Sequence, residues 1–278
     1  MLILQTVEEL KEWVHETKKA GQTIGIVPTM GFLHEGHLSL VEKAKEENDK
    51  VVMSIFVNPA QFGPNEDFDR YPRNLVRDQQ LAKKVGTDVI FAPSVDEMYP
   101  RDSSIKLTAG TLAHVLCGAK RPGHFDGVLK VVTKLFHLTE ANRAYFGQKD
   151  AQQLAIIESL VADFNFSISI RRGQTVREQD GLAKSSRNVY LSDVERNEAL
   201  HLKKALEIGK TLFLKKQDPV EPMISYLTEH TSGKIDYIEL LGYPSLTKTI
   251  QNDVILALAV QFEKARLIDN LIFNPKEN

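Results

Sequence analysis

Cysteine is almost absent from this chain, and its scarcity excludes two kinds of site. Among the 278 residues only Cys117 is a cysteine. One thiol cannot form an intramolecular disulfide framework, and it cannot supply the thiolate ligands of a cysteine-based zinc site. Low cysteine use is typical of proteins in a reducing compartment. We therefore expect a cytoplasmic protein whose fold depends on a hydrophobic core.

The chain also lacks long hydrophobic runs and an excess of basic residues. Its longest apolar run, VILALAV at 254–260, is much shorter than the ~18 residues that a membrane-spanning helix needs. The N-terminal segment has no basic region before its apolar residues, so it does not resemble a signal peptide. The formal net charge of -2 gives no broad basic surface for a nucleic acid. We expect neither a membrane nor a nucleic acid among its partners.

Several catalytic signatures are missing too. Neither a Walker A motif nor G-x-G-x-x-G stands at a predicted strand–helix junction, and no G-x-S-x-G elbow surrounds Ser39. No Ser-His-Asp or Cys-His arrangement is recognisable in the sequence. We therefore expect chemistry that needs no covalent nucleophile from the protein.

Strand and helix patterns alternate through the first part of the chain. TIGIVP at 23–28 and KVVMSIFVN at 50–58 are typical of buried strands, and Val7 to Ala20 is typical of a helix that Thr6 caps and Gly21 ends. Further predicted strands are DVIFAP, RAYFG and SISIRR, and further predicted helices are about Gly36 to Asn48, NLVRDQQLAKKVG, VLKVVTKLFHLTE and DAQQLAIIESLVADF. This alternation predicts an α/β fold with a doubly wound parallel sheet.

The pattern changes after about Thr175. Two predicted helices, roughly Asp193 to Lys215 and Pro219 to His230, precede three predicted strands, KIDYIELL, DVILALAV and ARLIDNLIF. Helices followed by strands without alternation are typical of a small α+β domain. We therefore predict two domains, a Rossmann-like ligand-binding domain at 1–175 and a smaller α+β lid domain at 176–278.

The stretch VPTMGFLHEGHLSLV at 27–41 places His34 and His37 at the start of a predicted helix. At this spacing the two imidazoles share one helical face. The motif is one residue short of the H-E-x-x-H of zinc proteases, and metal ligation, helix capping and phosphate binding stay open as interpretations. Phosphate binding is favoured, because first-turn N–H groups, the helix dipole and imidazole donors all favour anionic oxygens. Gly36 would let a ligand approach the backbone.

A second strand–helix junction, YFGQKDAQQL, has the same layout. Gly147 permits a turn, Lys149 and Asp150 open the helix, and Gln153 follows Lys149 by four residues, so the two side chains can line one site. A lysine is a compact positive charge suited to phosphates, although most single lysines lie on the surface.

The segment GLAKSSRNVYLS combines small hydroxyl side chains with basic ones at the predicted domain junction. Its amides, hydroxyls and charges can wrap a polyphosphate, and the loop can move as a lid. Alternatively, Ser185 and Ser186 cap the next helix. Ser192 is the better cap, because Glu195 completes a capping box with it, and this leaves Ser185, Ser186 and Arg187 free for another role.

Two loops carry charged residues that can either bind an ion or lie on the surface. The loop VNPAQFGPNEDFDRYPR holds Gln61 and is long for a plain connection, which is typical of binding loops. Its acidic residues can bind Mg²⁺ or lie in solvent. The loop CGAKRPGHFDGV can close over an anion or form ordinary surface. The charged residues concerned are Glu66, Asp67 and Asp69 in the first loop, and Lys120, Arg121 and His124 in the second.

Five segments together resemble the pantothenate synthetase family, the pantoate–β-alanine ligases. They are, in order, PTMGFLHEGH, FVNPAQFGPNEDFDRYPR, KRPGHFDGV, YFGQKDAQQL and REQDGLAKSSRN, and the resemblance covers essentially the whole chain. HEGH alone occurs in many nucleotidyl-transfer proteins, but the combination is specific. The resemblance implies the nucleotide-binding fold of class I aminoacyl-tRNA synthetases, with HEGH similar to their HIGH motif and KSSR to their KMSKS loop.

The resemblance also implies an ATP-dependent condensation of (R)-pantoate with β-alanine through pantoyl adenylate. His37, with His34 beside it, and Lys149 would be catalytic, and Gln61 and Gln153 would bind pantoate, with Gln61 also near β-alanine. The implied ATP site comprises Met30, Gly31, Phe32, Leu33, His34, Glu35, Gly36, His37, Gly147, Gln148, Lys149, Asp150, Val176, Lys184, Ser185, Ser186 and Arg187. Mg²⁺ is expected with ATP, held mostly by phosphates and water. Relatives are homodimers, which implies a homodimer here.

Two positions depart from the pattern of the family. Lys184 stands where many relatives have methionine, and it would add a phosphate contact. Phe32 stands where a small residue is more usual, and it would tighten the pocket.

Two other functions are weighed against the ligase. Another HxGH nucleotidyltransferase would use HEGH and SSR, but it would leave Gln61 and Gln153 without a role and would release a dinucleotide. A non-catalytic nucleotide-sensing or RNA-binding module would show salt-sensitive RNA retention, which we expect to be absent.

Overall fold

The computed structural model describes residues 1–64 and 66–276. Six of its strands are β1 (Leu2–Leu4), β2 (Ile24–Thr29), β3 (Lys50–Ile55), β4 (Val89–Phe91), β5 (Arg143–Gly147) and β6 (Ser169–Gly173). They form one parallel sheet in the order β1-β4-β3-β2-β5-β6. The predicted α/β fold with a doubly wound, Rossmann-like parallel sheet is confirmed.

The connecting helices follow the amphipathic patterns of the sequence. They are α1 (Val7–Lys19), α2 (Glu35–Glu47), α3 (Leu75–Lys84), α4 (Val95–Met98), α5 (Leu116–Lys120), α6 (His124–Thr139) and α7 (Ala151–Asp163). Thr6 caps α1 as predicted, in a capping box with Glu9. Strand β1 and the short helices α4 and α5 were not predicted, because three to five residues carry too little periodicity.

The sheet reverses its strand order between β2 and β5, since β3 and β4 lie on one side of β2 and β5 and β6 on the other. Doubly wound sheets bind ligands beyond the carboxyl ends of their strands at such a switch point. The β2–β5 ladder has only the pairs Gly25–Arg143 and Ile26–Ala144, whereas β2 and β3 pair along their full length. The two strands are therefore paired near their N-terminal ends.

A hydrophobic core fixes the end of β2 against the start of α2. Val27, Met53 and Ile90 come from three adjacent strands, and they pack with Leu33 and Val41, all with no exposed surface. Burying such side chains stabilises a fold by roughly 1.5–3 kcal/mol each. These buried contacts fix the position of the turn between β2 and α2.

The C-terminal part has the predicted α+β order. Its elements are α8 (Asp193–Glu198), α9 (Leu200–Leu214), α10 (Val220–His230), β7 (Lys234–Tyr243), β8 (Asp253–Gln261) and β9 (Arg266–Phe273). The three strands form an antiparallel sheet in chain order. Fully buried Leu206, Met223 and Leu256 join α9 and α10 to this sheet. The first predicted helix is divided at Ala199 into α8 and α9.

By packing, the chain divides into two compact units. The first comprises Met1–Ala109, Arg121–Gln148 and Ile156–Gln174, and the second comprises Gly110–Lys120, Lys149–Ala155 and Thr175–Asn278. The second unit thus includes two segments that lie before the predicted boundary. A division into domains at 1–175 and 176–278 stays a prediction. Within the part of the chain described, no helix is long and apolar enough to cross a membrane.

Candidate active site

The turn that joins β2 to α2 has an unusual backbone. Gly31 has φ +82° and Phe32 has φ +48°, so two consecutive residues lie in the left-handed region. Gly31 has a steric reason as well, because a Cβ atom there would meet Ile55 Cγ2 at 2.9 Å and Asp78 Oδ2 at 3.0 Å. A left-handed phenylalanine is strained, and such strain persists only where surrounding contacts hold it.

Asp78 on α3 supplies those contacts. Its carboxylate accepts hydrogen bonds from the backbone N–H groups of Phe32 and Leu33, each at 2.8 Å, and it is 1% exposed. The neighbouring Arg77 donates to the carbonyl of Leu33 at 2.9 Å and lies over the Phe32 ring, 5.0 Å from its centroid. Phe32 therefore packs against Arg77, and its departure from the family pattern has a structural partner on α3.

Asp78→Asn is expected to destabilise the fold by about 2 kcal/mol, because the new amide N–H₂ would face one of the two backbone N–H donors and leave it unpaired. Urea unfolding followed by circular dichroism measures the change. The exposed Asp163→Asn is the matched control and should leave the free energy of unfolding within about 0.5 kcal/mol. An Asp78→Asn variant as stable as the native chain would contradict this account of the turn.

The two histidines of HEGH are held together at the N-terminus of α2. Their ring centroids are 4.0 Å apart, and the rings are stacked with an interplanar angle of 29°. His34 occupies the N-cap position, and its backbone N–H donates to Nδ1 of His37 at 3.3 Å. Because Nδ1 accepts, a neutral His37 carries its proton on Nε2. The direction of the remaining ring N–H is thus set by the hydrogen bond from His34 at the start of α2.

Gln61 is brought to the same turn from the loop after β3. It lies in a 3₁₀ turn at Pro59–Gln61 and is 8% exposed. Its Nε2 lies 3.2 Å from Sδ of Met30, and its Oε1 accepts from Nδ2 of Asn58 at 3.1 Å. Two predicted site residues, Met30 and Gln61, are therefore neighbours, and Asn58, which was not predicted, supports one of them.

The acidic and basic loops of the first unit bind each other. Arg121 donates through Nε to Glu66 Oε1 at 2.5 Å and through Nη2 to Oε2 at 2.6 Å. Burial alone would raise the pKa of Glu66, but the hydrogen bonds and charge of Arg121 hold that pKa below its usual value. Arg121 also donates to His124, whose other ring nitrogen lies 2.8 Å from the carbonyl of Gln61. These side chains buttress the Gln61 loop.

Gly147, the glycine of GQKD, is the last residue of β5. Its φ is not positive, so its backbone does not need the left-handed region that glycine reaches most readily. A Cβ atom built on Gly147 would meet no described atom within 4 Å. The fold therefore does not require glycine here, and the open space beside it suits the approach of a ligand. Gln148 follows directly, in a 3₁₀ turn at Gln148–Asp150.

The lysine of GQKD lies in the second unit with the start of α7. Its backbone carbonyl accepts from Nδ2 of Asn270 on β9 at 2.9 Å, and its side chain is 19% exposed. The Nζ atom lies 4.0 Å from Oδ1 of Asp150, which is half exposed. Gln153 lies one turn further along, half-buried. Lys149 is thus fixed through its backbone, and its ammonium is only loosely paired with Asp150.

Hydrogen bonds and ion pairs fix the segment that precedes KSSR. Arg177 donates to both carboxylate oxygens of Asp269 on β9, at 2.7 and 2.9 Å. Lys184 donates its backbone N–H to the carbonyl of Val176 at 3.0 Å, and its Nζ lies 2.9 Å from Glu178 Oε2. Lys184, the residue that departs from the family pattern, therefore has a carboxylate partner in the same hairpin.

Ser185 and Ser192 both act as caps. Ser185 accepts from the backbone N–H of Arg187 at 3.3 Å and begins a 3₁₀ turn, Ser186–Tyr190. Ser192 caps α8 in a capping box with Glu195, as predicted. The expectation that Ser185 is left free by Ser192 is therefore wrong, because each serine caps its own turn. Ser186 is buried beside them.

The predicted residues fall into two sets, one in each compact unit. The first unit holds Met30, Gly31, Phe32, Leu33, His34, Glu35, Gly36, His37, Gln61, Gly147 and Gln148, and the second holds Lys149, Asp150, Gln153, Val176, Lys184, Ser185, Ser186 and Arg187. In the ranges 1–64 and 66–276, no group of three or more histidine, cysteine or carboxylate side chains could hold a metal ion.

Comparisons with known proteins agree along the whole chain. A family model described as pantoate-beta-alanine ligase matches residues 2–272. A protein named pantothenate synthetase from Lysinibacillus sphaericus (strain C3-41) is 57% identical over 282 residues, covering 100% of this chain and 99% of the relative. Another, from Staphylococcus haemolyticus (strain JCSC1435), is 54% identical and covers 97% and 98%.

Solved structures give the same result. A pantothenate synthetase from Thermus thermophilus superposes with a TM-score of 0.91 at 42% identity, covering 98% of this chain and 99% of that one. A pantoate-beta-alanine ligase from Francisella tularensis, solved with beta-gamma ATP and beta-alanine, has a TM-score of 0.83 at 36% identity and covers 100% and 99%. With its fold, its motifs and these relatives in agreement, this chain belongs to the pantoate-beta-alanine ligase family.

Proposed function

We propose that this chain condenses (R)-pantoate with β-alanine to pantothenate, using ATP and releasing AMP and pyrophosphate. The observation that carries the proposal is the family match along the whole chain, together with HEGH at the switch point of the parallel sheet. The Francisella tularensis relative was solved with beta-gamma ATP and beta-alanine, which supports both as substrates.

In the first half-reaction, a carboxylate oxygen of pantoate attacks the α-phosphorus of ATP, and pyrophosphate leaves. This step needs no protein nucleophile, but it needs alignment and donors for the charge that develops on the phosphate oxygens. We assign His37 Nε2 to the α-phosphate, with His34 stacked on it, and the Lys149 ammonium to the same developing charge. The first-turn N–H groups of α2 add to this stabilisation.

In the second half-reaction, the amine of β-alanine attacks the acyl carbon of pantoyl adenylate. The bond from that carbon to the bridging oxygen breaks, and AMP leaves with that oxygen. We assign Gln61 and Gln153 to the hydroxyl and carboxylate oxygens of pantoate. Val176 would bind adenine through its backbone, and its carbonyl, which accepts from Lys184, has a second lone pair. Lys184, Ser185, Ser186 and Arg187 would hold the β- and γ-phosphates.

Mg²⁺ would accompany ATP and neutralise phosphate charge. The described side chains offer no cluster of three metal ligands, which fits an ion held mostly by phosphates and water. We also propose a cytoplasmic homodimer, whose mass in sedimentation equilibrium would be twice that of the chain.

An isotope experiment tests the acyl-adenylate route. Pantoate labelled with ¹⁸O in its carboxylate should transfer one labelled oxygen to AMP for each pantothenate formed, because the bridging oxygen leaves with phosphorus. Mass spectrometry of AMP measures the label. Unlabelled AMP, or a dinucleotide product in its place, would show that the carboxylate does not attack phosphorus.

Gln153→Ala is expected to raise the KM for pantoate by about 10-fold or more, because a donor to the acid substrate is lost and the pantoate oxygens stay unpaired. The KM for ATP should stay within twofold. Initial rates of pyrophosphate release at varied pantoate give both constants. The exposed Gln217→Ala serves as the control, and an unchanged pantoate KM in Gln153→Ala would remove this residue from the pantoate site.

A further inference from the structure

A buried hydrogen-bond network lies behind Gln61 in the first unit. At its centre is Asn58, which is 1% exposed. Its Oδ1 accepts from the backbone N–H of Ala60 at 3.2 Å and from the hydroxyl of Tyr99 at 2.8 Å. Its Nδ2 donates to the carbonyl of Gly127 at 3.0 Å and to Oε1 of Gln61 at 3.1 Å. All four positions around the Asn58 amide are used.

These partners determine which neighbour the oxygen and the nitrogen of each amide face. The backbone N–H of Ala60 can only donate and the carbonyl of Gly127 can only accept, so the Asn58 amide cannot be reversed. Asn58 therefore offers N–H to Gln61, and Gln61 must use its oxygen there. The Nε2 group of Gln61 faces the other way, next to the thioether of Met30, a weak acceptor. Gln61 thus presents donors at the end of the network.

Two neighbours fix the ring of Tyr99, whose hydroxyl donates to Asn58. Lys130 lies over its ring with Nζ 4.3 Å from the centroid, and Phe56 packs edge-on with centroids 5.9 Å apart. Burial raises the pKa of the Tyr99 hydroxyl above its ordinary value, so the group stays protonated. A phenol has one proton to donate, and here it goes to Asn58.

We propose that Tyr99 is a positioning residue for the acid substrate: through Asn58 it holds the Gln61 amide with its N–H groups toward the oxygens of pantoate. This inference rests on the proposed function of Gln61. A carboxylate offers only acceptors, so a reversed Gln61 amide would place oxygen against oxygen. Tyr99 acts through Asn58 and Gln61, so its substitution should change the KM for pantoate and not the KM for ATP.

The first test is Tyr99→Phe, which keeps the ring and removes one hydrogen bond. We expect the KM for pantoate to rise about 5-fold, which is the scale of one hydrogen bond, while the KM for ATP and kcat stay within twofold. Tyr226→Phe is the matched control, because it removes a hydroxyl that lies 2.7 Å from His201 Nδ1 in the second unit. A pantoate KM in Tyr99→Phe equal to that of the native chain overturns the inference.

A double-mutant cycle separates positioning from general support of the fold. If Tyr99 acts through the Gln61 amide, Tyr99→Phe should not raise the pantoate KM further in a Gln61→Ala background. If it only supports the fold, the same rise would be found in both backgrounds, and the inference would be wrong.

Asn58→Asp provides an independent test with nearly the same side-chain shape. A carboxylate cannot donate to Gln61 Oε1, so the Gln61 amide should turn around and the pantoate KM should rise about 10-fold or more. Normal pantoate affinity in Asn58→Asp overturns the inference. A native chain without pantoate-dependent pyrophosphate release overturns the proposed function instead, and that measurement comes before any variant.

Discussion

Lys149→Ala is expected to lower the rate of pantoate-dependent pyrophosphate release at least ~100-fold, the scale found when one preorganised donor is removed from a developing oxyanion. The ammonium is only loosely paired with Asp150, at 4.0 Å, so its charge remains available for a phosphate. The loss should appear mainly in kcat, because the charge to be stabilised is largest in the transition state. Single-turnover measurements of pyrophosphate release test this directly.

The fold should survive this substitution. The hydrogen bond from Asn270 goes to the backbone carbonyl of Lys149, which alanine retains. Circular dichroism should therefore be unchanged. Lys234→Ala, at an exposed strand end in the same unit, is the matched control and should keep the native rate. A Lys149→Ala variant that releases pyrophosphate at nearly the native rate would exclude Lys149 from the chemistry.

His37→Ala should have a comparable effect, a loss of ~100-fold or more in the same half-reaction. The bond from the His34 backbone N–H to Nδ1 leaves the proton of the neutral ring on Nε2, so the substitution removes a donor whose direction is already set. His37→Gln keeps an N–H near that position and should recover part of the rate.

The pair of variants at His37 distinguishes donation from packing. If the His37 ring served only to stack on His34, His37→Gln would release pyrophosphate no faster than His37→Ala. His15→Ala, with a side chain 74% exposed on α1, is the control and should leave the rate unchanged. Full activity of His37→Ala would contradict the assignment of HEGH to the α-phosphate.

Much of the fold could be predicted from the sequence, because the hydrophobic periodicity of the segments and the order of strands and helices indicate the same fold class. Alternating strands and helices fixed a parallel sheet, and carboxyl ends of parallel strands lie at one edge. HEGH and GQKD could therefore be placed at strand–helix junctions from the sequence alone. Their position at a reversal of the strand order could not, because it depends on which strands pair, and the roles of the residues stay proposals.

The residues that hold the site were not predicted, since their partners are distant along the chain. Asp78 fixes Phe32 and Leu33 across more than forty positions, and only tertiary packing shows it. One signal was present: Asp78 stands four residues before the buried Ala82, so the helical period puts a carboxylate on the buried face of α3. A charged residue at a core position is what could have identified it.

Local motifs left the reasons for two residues undetermined. Gly147 was expected to permit a turn, but its φ is not positive, and a Cβ atom there would meet no described atom within 4 Å. Ser185 was expected to have no capping role, yet its oxygen caps the turn at Ser186–Tyr190, and its hydroxyl proton can still be donated to a phosphate. Residue type alone does not separate conformational freedom from open space, or a capping hydroxyl from a ligand-binding one.

The most direct test of the proposed function is a staged assay of its two half-reactions. With ATP and pantoate alone, the chain should release pyrophosphate and retain pantoyl adenylate, and AMP should follow only when β-alanine is added. Silence with pantoate, together with pyrophosphate release when a phosphorylated acceptor is supplied, would contradict the ligase and leave Gln61 and Gln153 without their proposed roles.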